Sequence, residues 1–309
     1  MNKKPSKTLA AGLAGFINPF RYDGSGTFHL KDHKTNEKGD LDKDEGQKIL
    51  EANKQHLADF QEKLYAQDRW SVLIIFQGMD ASGKDSAIKA LFEGINPQGC
   101  EVRAFKQPTS HELDHDFLWR HVVALPSRGH IGIFNRSHYE ECLVTRVHPE
   151  ILAKEKLPTG LVTRNIWRER FEDISAFERY LARNGTVVLK FFLNLSREEQ
   201  RQRFLDRLED RSKQWKFSMD DIKERALWPR YQAVYQDIVR HTATTHAPWY
   251  VVPADHKWFA RVVIGSVIVA ALERLDLQFP RADRASLREF KAVQQALEGE
   301  ARGGRKGAR

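Results

Sequence analysis

Cysteine is almost missing from this chain. Cys100 and Cys142 are the only two among 309 residues. No disulfide framework can hold such a chain, and a reduced, cytoplasmic setting is expected. Long apolar runs are missing as well. The best candidate, Phe259 to Leu272, contains Arg261 and is closed by Glu273 and Arg274. It falls short of the roughly 20 residues that a membrane span needs, so it reads as a buried helix and no membrane partner is expected. Lys3, Lys4 and Lys7 ahead of Leu9–Ile17 faintly resemble a secretory start, but Gly12 and Gly15 break that short stretch, and export is not expected. Internal repeats, zinc-ligand spacings and nucleic-acid-binding motifs are absent too.

What is present is a core and an excess of positive charge. Apolar residues make up 41% of the chain, and Lys and Arg outnumber Asp and Glu to leave a formal net charge of +8. The length suits one large α/β domain, or one with an inserted lid. The charge favours a polyanionic partner, without choosing among nucleic acid, membrane surface and other anions.

Composition divides the chain into three parts. Residues 1–42 are rich in Gly, Lys, Asp and His and read as an extended N-terminal arm, with Tyr22 and Phe28 as anchors. Residues 43–280 carry the regular patterns. Residues 281–309 are a polar C-terminal extension, in which Leu287, Phe290, Val293 and Leu297 fall on one face of a last helix and 299–309 form a basic tail. A long helix capped by Asp42 or Asp44 runs to about Gln67. Strands are expected at Trp70–Phe76, Glu101–Phe105, Ile131–Phe134, Thr186–Leu193 and Trp249–Val252. Between and after them, helices are expected at Lys84–Phe92, Glu112–Val123, His138–Arg146, Asn165–Arg183, Arg197–Glu209, Asp220–His241 and Lys257–Leu275. Nearly all-apolar strands alternating with helices predict a three-layer α/β/α fold around a parallel sheet. The charged stretch from about 146 to 228 is the candidate lid. In Asn165–Arg183, the stripe Phe171, Ile174, Phe177 and Leu181 is core, and the opposite face carries Arg164, Arg168, Arg170 and Arg179.

The most specific signal follows the first of these strands. Gly78-Met79-Asp80-Ala81-Ser82-Gly83-Lys84-Asp85-Ser86 has the Walker A spacing of a phosphate-binding loop. Glycines let backbone N–H groups turn toward an anion, and the helix that begins near Gly83 adds its own free N–H groups. Lys84 brings a positive charge to a transferring phosphoryl group. Gly78, Met79, Ala81, Ser82, Gly83 and Ser86 are the candidate phosphate contacts. The usual Ser or Thr after the lysine is Asp85, and Asp80 places a second acid inside the loop. Two carboxylates beside phosphates are costly unless divalent cations stand between them, so Asp80 and Asp85 are the candidate ligands for Mg2+ or Mn2+.

A second polar cluster, Asn135-Arg136-Ser137-His138-Tyr139-Glu140-Glu141, follows a buried strand. Arg136 is a candidate bidentate phosphate clamp. Asn135 stands where a Walker B acid is usual, and Ser137 offers either a phosphate contact or a helix cap. Ser–His–Asp and Cys–His catalytic arrangements are not evident. His111, His115, His121, His130 and His138 show no metal spacing and read as surface or substrate-side residues.

With both motifs in view, the chain resembles the second family of polyphosphate kinases. The resemblance rests on 78–85 and on Phe134-Asn135-Arg136-Ser137-His138-Tyr139-Glu140. It also rests on Asn165–Glu172, Lys213-Gln214-Trp215-Lys216-Phe217, Glu224–Trp228 and Ala247–Lys257, and it covers roughly residues 20 to 280. It implies a thymidylate-kinase-like P-loop fold with a helical lid. It also implies reversible phosphoryl transfer from inorganic polyphosphate to AMP or ADP, with magnesium or manganese. By the same resemblance Asp80, Lys84, Asp85 and Arg136 are catalytic, Asn135, Ser137 and Glu140 lie on the nucleotide and phosphate side, and Arg168, Lys213 and Lys216 belong to a polyphosphate channel or lid. Partners would be polyphosphate and AMP, ADP and ATP, with guanine nucleotides as further candidates, in a homodimer or homotetramer. The Asn135 form of the second motif looks most like members acting on both AMP and ADP. Arg211 departs from the proline common in relatives and puts a basic side chain in place of a rigid turn.

Two other readings fit parts of the pattern. An ATP-dependent nucleoside monophosphate kinase fits the loop but not its two acids. A non-enzymatic nucleotide- or RNA-binding protein fits the charge, but Asp80 and Asp85 would repel a nucleic-acid backbone.

Overall fold

A computed structural model describes residues 9–303, apart from the side chains of Ala11, Lys216 and residues 300–303. Lys3, Lys4, Lys7 and the last six residues of the expected basic tail lie outside the described residues. In chain order the elements are α1 (Leu9–Ile17), β1 (Arg21–Tyr22), α2 (Lys43–Gln67), β2 (Ser71–Gln77), α3 (Lys84–Leu91), β3 (Cys100–Ala104), α4 (Trp119–Val122), β4 (Ile131–Asn135) and α5 (Glu140–Val147). They continue with α6 (Pro149–Leu152), α7 (Ile166–Arg183), β5 (Thr186–Asn194), α8 (Arg197–Glu209), α9 (Met219–Ala226), α10 (Trp228–Thr242), β6 (Trp249–Pro253), α11 (Lys257–Glu273) and α12 (Arg284–Gly303). They fall into two compact units, one ending at Leu277 and one starting at Gln278.

The first unit is built on a six-stranded sheet in the order β1-β6-β5-β2-β4-β3. Strands β2 to β6 run parallel, and the short β1 adds an antiparallel edge to β6. β2 lies between β5 and β4 and is buried along its whole length. Its alternating side chains feed two cores. Val72, Ile74 and Phe76 meet α1, α2, α3 and α11 on one face, while Leu73 and Ile75 meet α5, α7 and α10 on the other. This is the expected three-layer arrangement, and its parallel strands are apolar because helices cover both faces. α11 is the buried helix anticipated from Phe259 to Leu272; Val262, Val263, Ile264, Val267, Ile268 and Val269 are all fully enclosed. Each such side chain contributes about 1.5–3 kcal/mol by leaving water. Among the described residues no helix is long and apolar enough to cross a membrane.

Local signals explain where elements begin and end. Asp42 accepts from Glu45 N at 2.8 Å and Glu45 answers at the Asp42 N–H, a capping box that starts α2. The expected helix over 220–241 is two, because Pro229 lacks the N–H that a continuous helix would use and instead opens α10. The expected helix over 112–123 is also broken. Asp116 caps the N–H of Leu118 through Oδ1, which restarts the chain as the single turn α4. The N-terminal arm is not wholly extended: α1 packs on α11, with Phe16 and Phe20 edge-on to Phe259. Phe28 is anchored as expected, with 2% of its surface exposed. Within the stretch read as a lid, 186–194 is the central strand β5, so only its flanking helices can overhang a ligand. In the second unit, α12 shows Leu287, Phe290, Val293 and Leu297 as exposed side chains.

Candidate active site

The C-terminal ends of parallel strands are where such sheets place ligands, and both phosphate motifs are there. β2 ends at Gln77, and Gly78 turns the chain at φ 150°, where an added Cβ would meet Leu193 O at 2.9 Å. Only glycine permits this turn against β5. Ala81 (φ 61°) and Gly83 (φ 106°) complete a tight loop, and α3 starts at Lys84. Lys84 folds back so that Nζ donates to Gly78 O at 2.6 Å and Met79 O at 3.3 Å. Ser82 is 2% exposed and its hydroxyl has no partner. A buried, unpaired hydroxyl inside a loop of this shape suits a phosphate oxygen. Ser86 is turned back onto Gly83 O.

β4 brings the second motif alongside, since Phe76 and Asn135 are register partners. Arg136 adopts φ 64°, a left-handed conformation uncommon for a side chain of this size. Its N–H is held by Phe76 O at 3.1 Å. Two cross-links join the motifs: Arg136 Nη2 donates to Asp80 Oδ1 at 2.8 Å, and Asn135 Nδ2 donates to Asp85 Oδ1 at 2.6 Å. Consecutive residues of one turn thus hold both acids of the loop. Ser137 is wholly buried and accepts from Gln77 Nε2 and the Tyr139 N–H, which is the cap-like role rather than an open phosphate contact.

The turn rests on a buried polar network that the sequence reading missed. Lys190 of β5 donates to Glu178 of α7 at 2.5 Å, to Tyr139 Oη at 3.0 Å and to Thr242 O at 2.8 Å, while Tyr139 Oη donates to Glu178 at 2.6 Å. His138 Nε2 lies 3.5 Å from the same Glu178. His121 and His138, expected at the surface or beside substrate, are fully buried in this layer. The available signal was a lysine inside an otherwise apolar strand and a glutamate four residues after Ile174 on the core stripe of its helix. Arg170, read as part of an outer charged face, also turns inward, pairing with Glu155 and donating to Glu141 O at 2.5 Å.

A cavity of about 470 Å³ opens in front of the two motifs, lined by Gly78, Met79, Asp80, Arg136 and Glu140. Leu143, Val144 and Ile151 supply apolar wall, Tyr231 and Tyr235 come from α10, and Asp220, Asp221 and Glu224 come from α9. Gln107, in the loop after β3, closes one side. Burial, then the nearby Arg136 cation, holds the Lys84 ammonium down at about 8 against the pull of Asp80, Glu140 and Asp85. Burial pushes Glu140 above the usual carboxylate range, with Arg136 and Lys84 opposing. Glu140 in turn raises Arg136. Burial and then Asp80 raise Asp221.

This crowding of acids bears on the expected metal. Among the described residues no three His, Cys, Asp or Glu side chains converge as a ready-made cage. Magnesium rarely uses one; it binds through one or two carboxylates, with water and substrate phosphates completing an octahedron. Asp80 and Asp85, held on one side of the Asn135–Arg136 turn, fit that donor set. Arg168 is exposed on α7 beside Glu172, and Lys213 pairs with Asp210 at 2.5 Å. Neither lines this cavity. The side chain of Lys216 lies outside the described residues.

A parallel sheet carrying a phosphate loop after β2, with an arginine turn after the neighbouring β4, defines a P-loop phosphotransferase fold. The comparisons with known proteins narrow it. The family model described as Polyphosphate kinase 2 matches residues 40–280. A Rhodopseudomonas palustris ADP-polyphosphate phosphotransferase is 46% identical over 250 residues, covering 81% of this chain and 86% of that protein. A Meiothermus ruber AMP/ADP-polyphosphate phosphotransferase is 40% identical over 272 residues, covering 87% and 98%. The crystal structure of polyphosphate kinase 2 from Arthrobacter aurescens superposes with a TM-score of 0.80 at 36% identity, covering 89% of this chain and 95% of that one. The chain belongs to the polyphosphate kinase 2 family.

Proposed function

We propose that this chain is a magnesium-dependent enzyme that moves phosphoryl groups between inorganic polyphosphate and both AMP and ADP. The observation that carries the reading is the pair of cross-links from Asp80 and Asp85 to Arg136 and Asn135, beside Lys84. They bring cations and candidate metal-binding carboxylates together beside a half-open cavity whose lining includes Asp80 and Arg136. Relatives named for transfer from polyphosphate to ADP, and to AMP and ADP, support the donor and the acceptors.

The chain's own groups account for the chemistry. Backbone N–H groups of the loop, with Ser82, hold the phosphate next to the one transferred. Lys84 leaves the Gly78 and Met79 carbonyls for the transferred group, and Arg136 spreads its charge over the equatorial oxygens that become more negative in the transition state. Asp80 and Asp85 would hold Mg2+, which would supply the charge neutralisation that these acids cannot provide beside phosphates. The acceptor phosphate is already ionised near neutral pH, so no strong base is required. Tyr231, Tyr235 and the apolar wall exclude water that would otherwise compete as acceptor.

Dual acceptor use rests on Asn135. It is neutral, so it does not penalise the added charge of a diphosphate as an aspartate would. A time course from AMP with polyphosphate as sole donor tests this. ADP is expected to rise first and ATP to follow without added ADP. A stream that stops at ADP, with supplied ADP also left unphosphorylated, rules out dual use. The same reading includes guanine nucleotides as acceptors and a cytoplasmic homodimer or homotetramer. A GMP and GDP series and light scattering on the purified protein address the acceptors and the assembly.

A further inference from the structure

The two edges of the sheet are finished differently. On one side β1 lies antiparallel on β6 and covers its edge. On the other side β3 pairs with β4 alone, and among the described residues no strand lies beyond it. Strands β2, β4, β5 and β6 are buried almost from end to end, whereas Val102, Arg103 and Ala104 of β3 are exposed. Val102 shows 54% of its surface, although parallel sheets ordinarily cover their apolar side chains.

The groups on that open edge follow from strand alternation. Phe105 N–H donates to Asn135 O at 3.1 Å, so the backbone groups of Glu101 and Arg103 also turn toward β4. Those of Cys100, Val102 and Ala104 turn outward. The Cys100 N–H is taken by Pro97 O. The Cys100 C=O and both backbone groups of Val102 and Ala104 are left on the edge.

This edge is self-complementary about Val102. A second copy related by a two-fold axis through Val102 runs antiparallel to the first. The two Val102 residues then exchange N–H···O=C bonds, and each Ala104 N–H meets the Cys100 C=O of the other copy. These are the groups that face outward. The same register sets Glu101 of each copy opposite Arg103 of the other. Within one copy these two side chains share a face, with Arg103 Nη2 3.4 Å from Glu101 Oε2. A register slipped by two residues would set Glu101 on Glu101, or Arg103 on Arg103, and like charges directly opposite are destabilising. A slip by one residue would offer the groups already turned toward β4. Charge and hydrogen-bond direction therefore select one pairing. Cys100 packs with the α2 side of the core, and Val102 shares its face. There Tyr65 of α2 is 44% exposed, and its ring would lie 3.6 Å from a Cβ added at Gly99.

We propose that the open edge of β3 is the surface on which two copies of this chain associate, by antiparallel β3–β3 pairing about a two-fold axis through Val102. The proposal rests on the homo-oligomer reading above and names its surface. Edge strands that must stay single are blunted by lysine, proline or inward-pointing charge. β3 instead carries one charge of each sign, in the order that pairing with itself uses. Such a contact closes after two copies and does not propagate. Because the loop after β3 brings Gln107 to the cavity in front of the phosphate motifs, the pairing joins walls of two active sites.

The test is charge exchange across the axis, on the full chain. Glu101→Arg sets arginine against arginine, and Arg103→Glu sets glutamate against glutamate. Each single variant is expected to weaken association on the order of tenfold or more, and to halve the parent's mass in light scattering. The double variant carrying both changes restores opposite charges and is expected to regain the parent's mass. So is an equimolar mixture of the two single variants, in which every facing pair is again complementary; native mass spectrometry should show the mixed dimer. Val102→Pro removes an outward N–H while sparing the ladder to β4, and is expected to give the halved mass with a thermal melt close to parent. An oligomeric parent whose single variants keep its mass, or whose mixed variants fail to reassociate, overturns β3 pairing and leaves the homo-oligomer reading standing. A monomeric parent overturns both.

Discussion

Arg136 Nη2 stands 2.8 Å from Asp80 Oδ1, and this ion pair joins the loop after β2 to the turn after β4. Its importance is geometric. Arg136 sits at a positive φ that its side chain would not choose alone, and Asp80 is one of two acids that a phosphate loop would not ordinarily tolerate. Each costs something in isolation, and together they fix a cation and a carboxylate at one point.

Removing the loop lysine should abolish most turnover without unfolding the chain. Lys84→Ala is expected to lower kcat with polyphosphate and ADP by about 100- to 1000-fold. Steady-state kinetics alongside a thermal melt checks this, and activity within about twofold of parent removes Lys84 from the mechanism.

The two acids should fail in a metal-dependent way. Asp80→Asn and Asp85→Asn are each expected to reduce maximal rate on the order of 100-fold and to weaken the apparent Mg2+ affinity, because a neutral amide is a poorer ligand for a hard cation. Asp80→Asn also releases Arg136. A magnesium titration of each folded variant is the measurement; normal rate and normal metal affinity in both contradicts their role.

The Lys84 ammonium, held at about 8 in the free enzyme, predicts a pH dependence. Below that value the charge is present. As pH rises through it, the charge is lost, so kcat/KM should fall above about pH 8. Bound phosphates stabilise the ammonium and raise its pKa, so kcat should fall at a higher pH than kcat/KM. Lys84→Arg should lose the kcat/KM break, since a guanidinium stays charged. Identical alkaline breaks in parent and Lys84→Arg would assign the titration to another group.

Beneath the site, Lys190 and Glu178 are both fully enclosed. Lys190→Met is expected to cost about 3–5 kcal/mol, because it strands the Glu178 carboxylate in the core. Adding Glu178→Leu should recover part of that loss. Urea denaturation of the single and double variants gives both numbers, and a single variant as stable as parent contradicts a paired buried charge.

Much of this was legible in the sequence for identifiable reasons. Strands such as Leu73–Phe76 are apolar without interruption because the fold covers them twice. The loop at 78–86 combines glycine spacing with a lysine that few other structures require. Other features were hidden by the same rules. β1 is two residues long and carries no periodicity. Lys190 breaks an apolar strand, and such a break is weak evidence until its partner is known; that partner, Glu178, lies on another element. Arg170 follows the charged pattern of its helix, yet Glu155 draws it inward. The cavity in front of the two motifs draws on the loop after β2 and on α5, α6, α9 and α10 at once, so no local window contains it.

The central claim is the identity of the donor. The most direct measurement is product formation by purified enzyme with Mg2+ and AMP or ADP as acceptor, given either polyphosphate or ATP as the sole donor. The account predicts ADP and ATP from polyphosphate, with rates that fall by about 100- to 1000-fold in Lys84→Ala. Transfer from ATP to AMP with none from polyphosphate would contradict it and identify an ATP-dependent nucleoside monophosphate kinase instead.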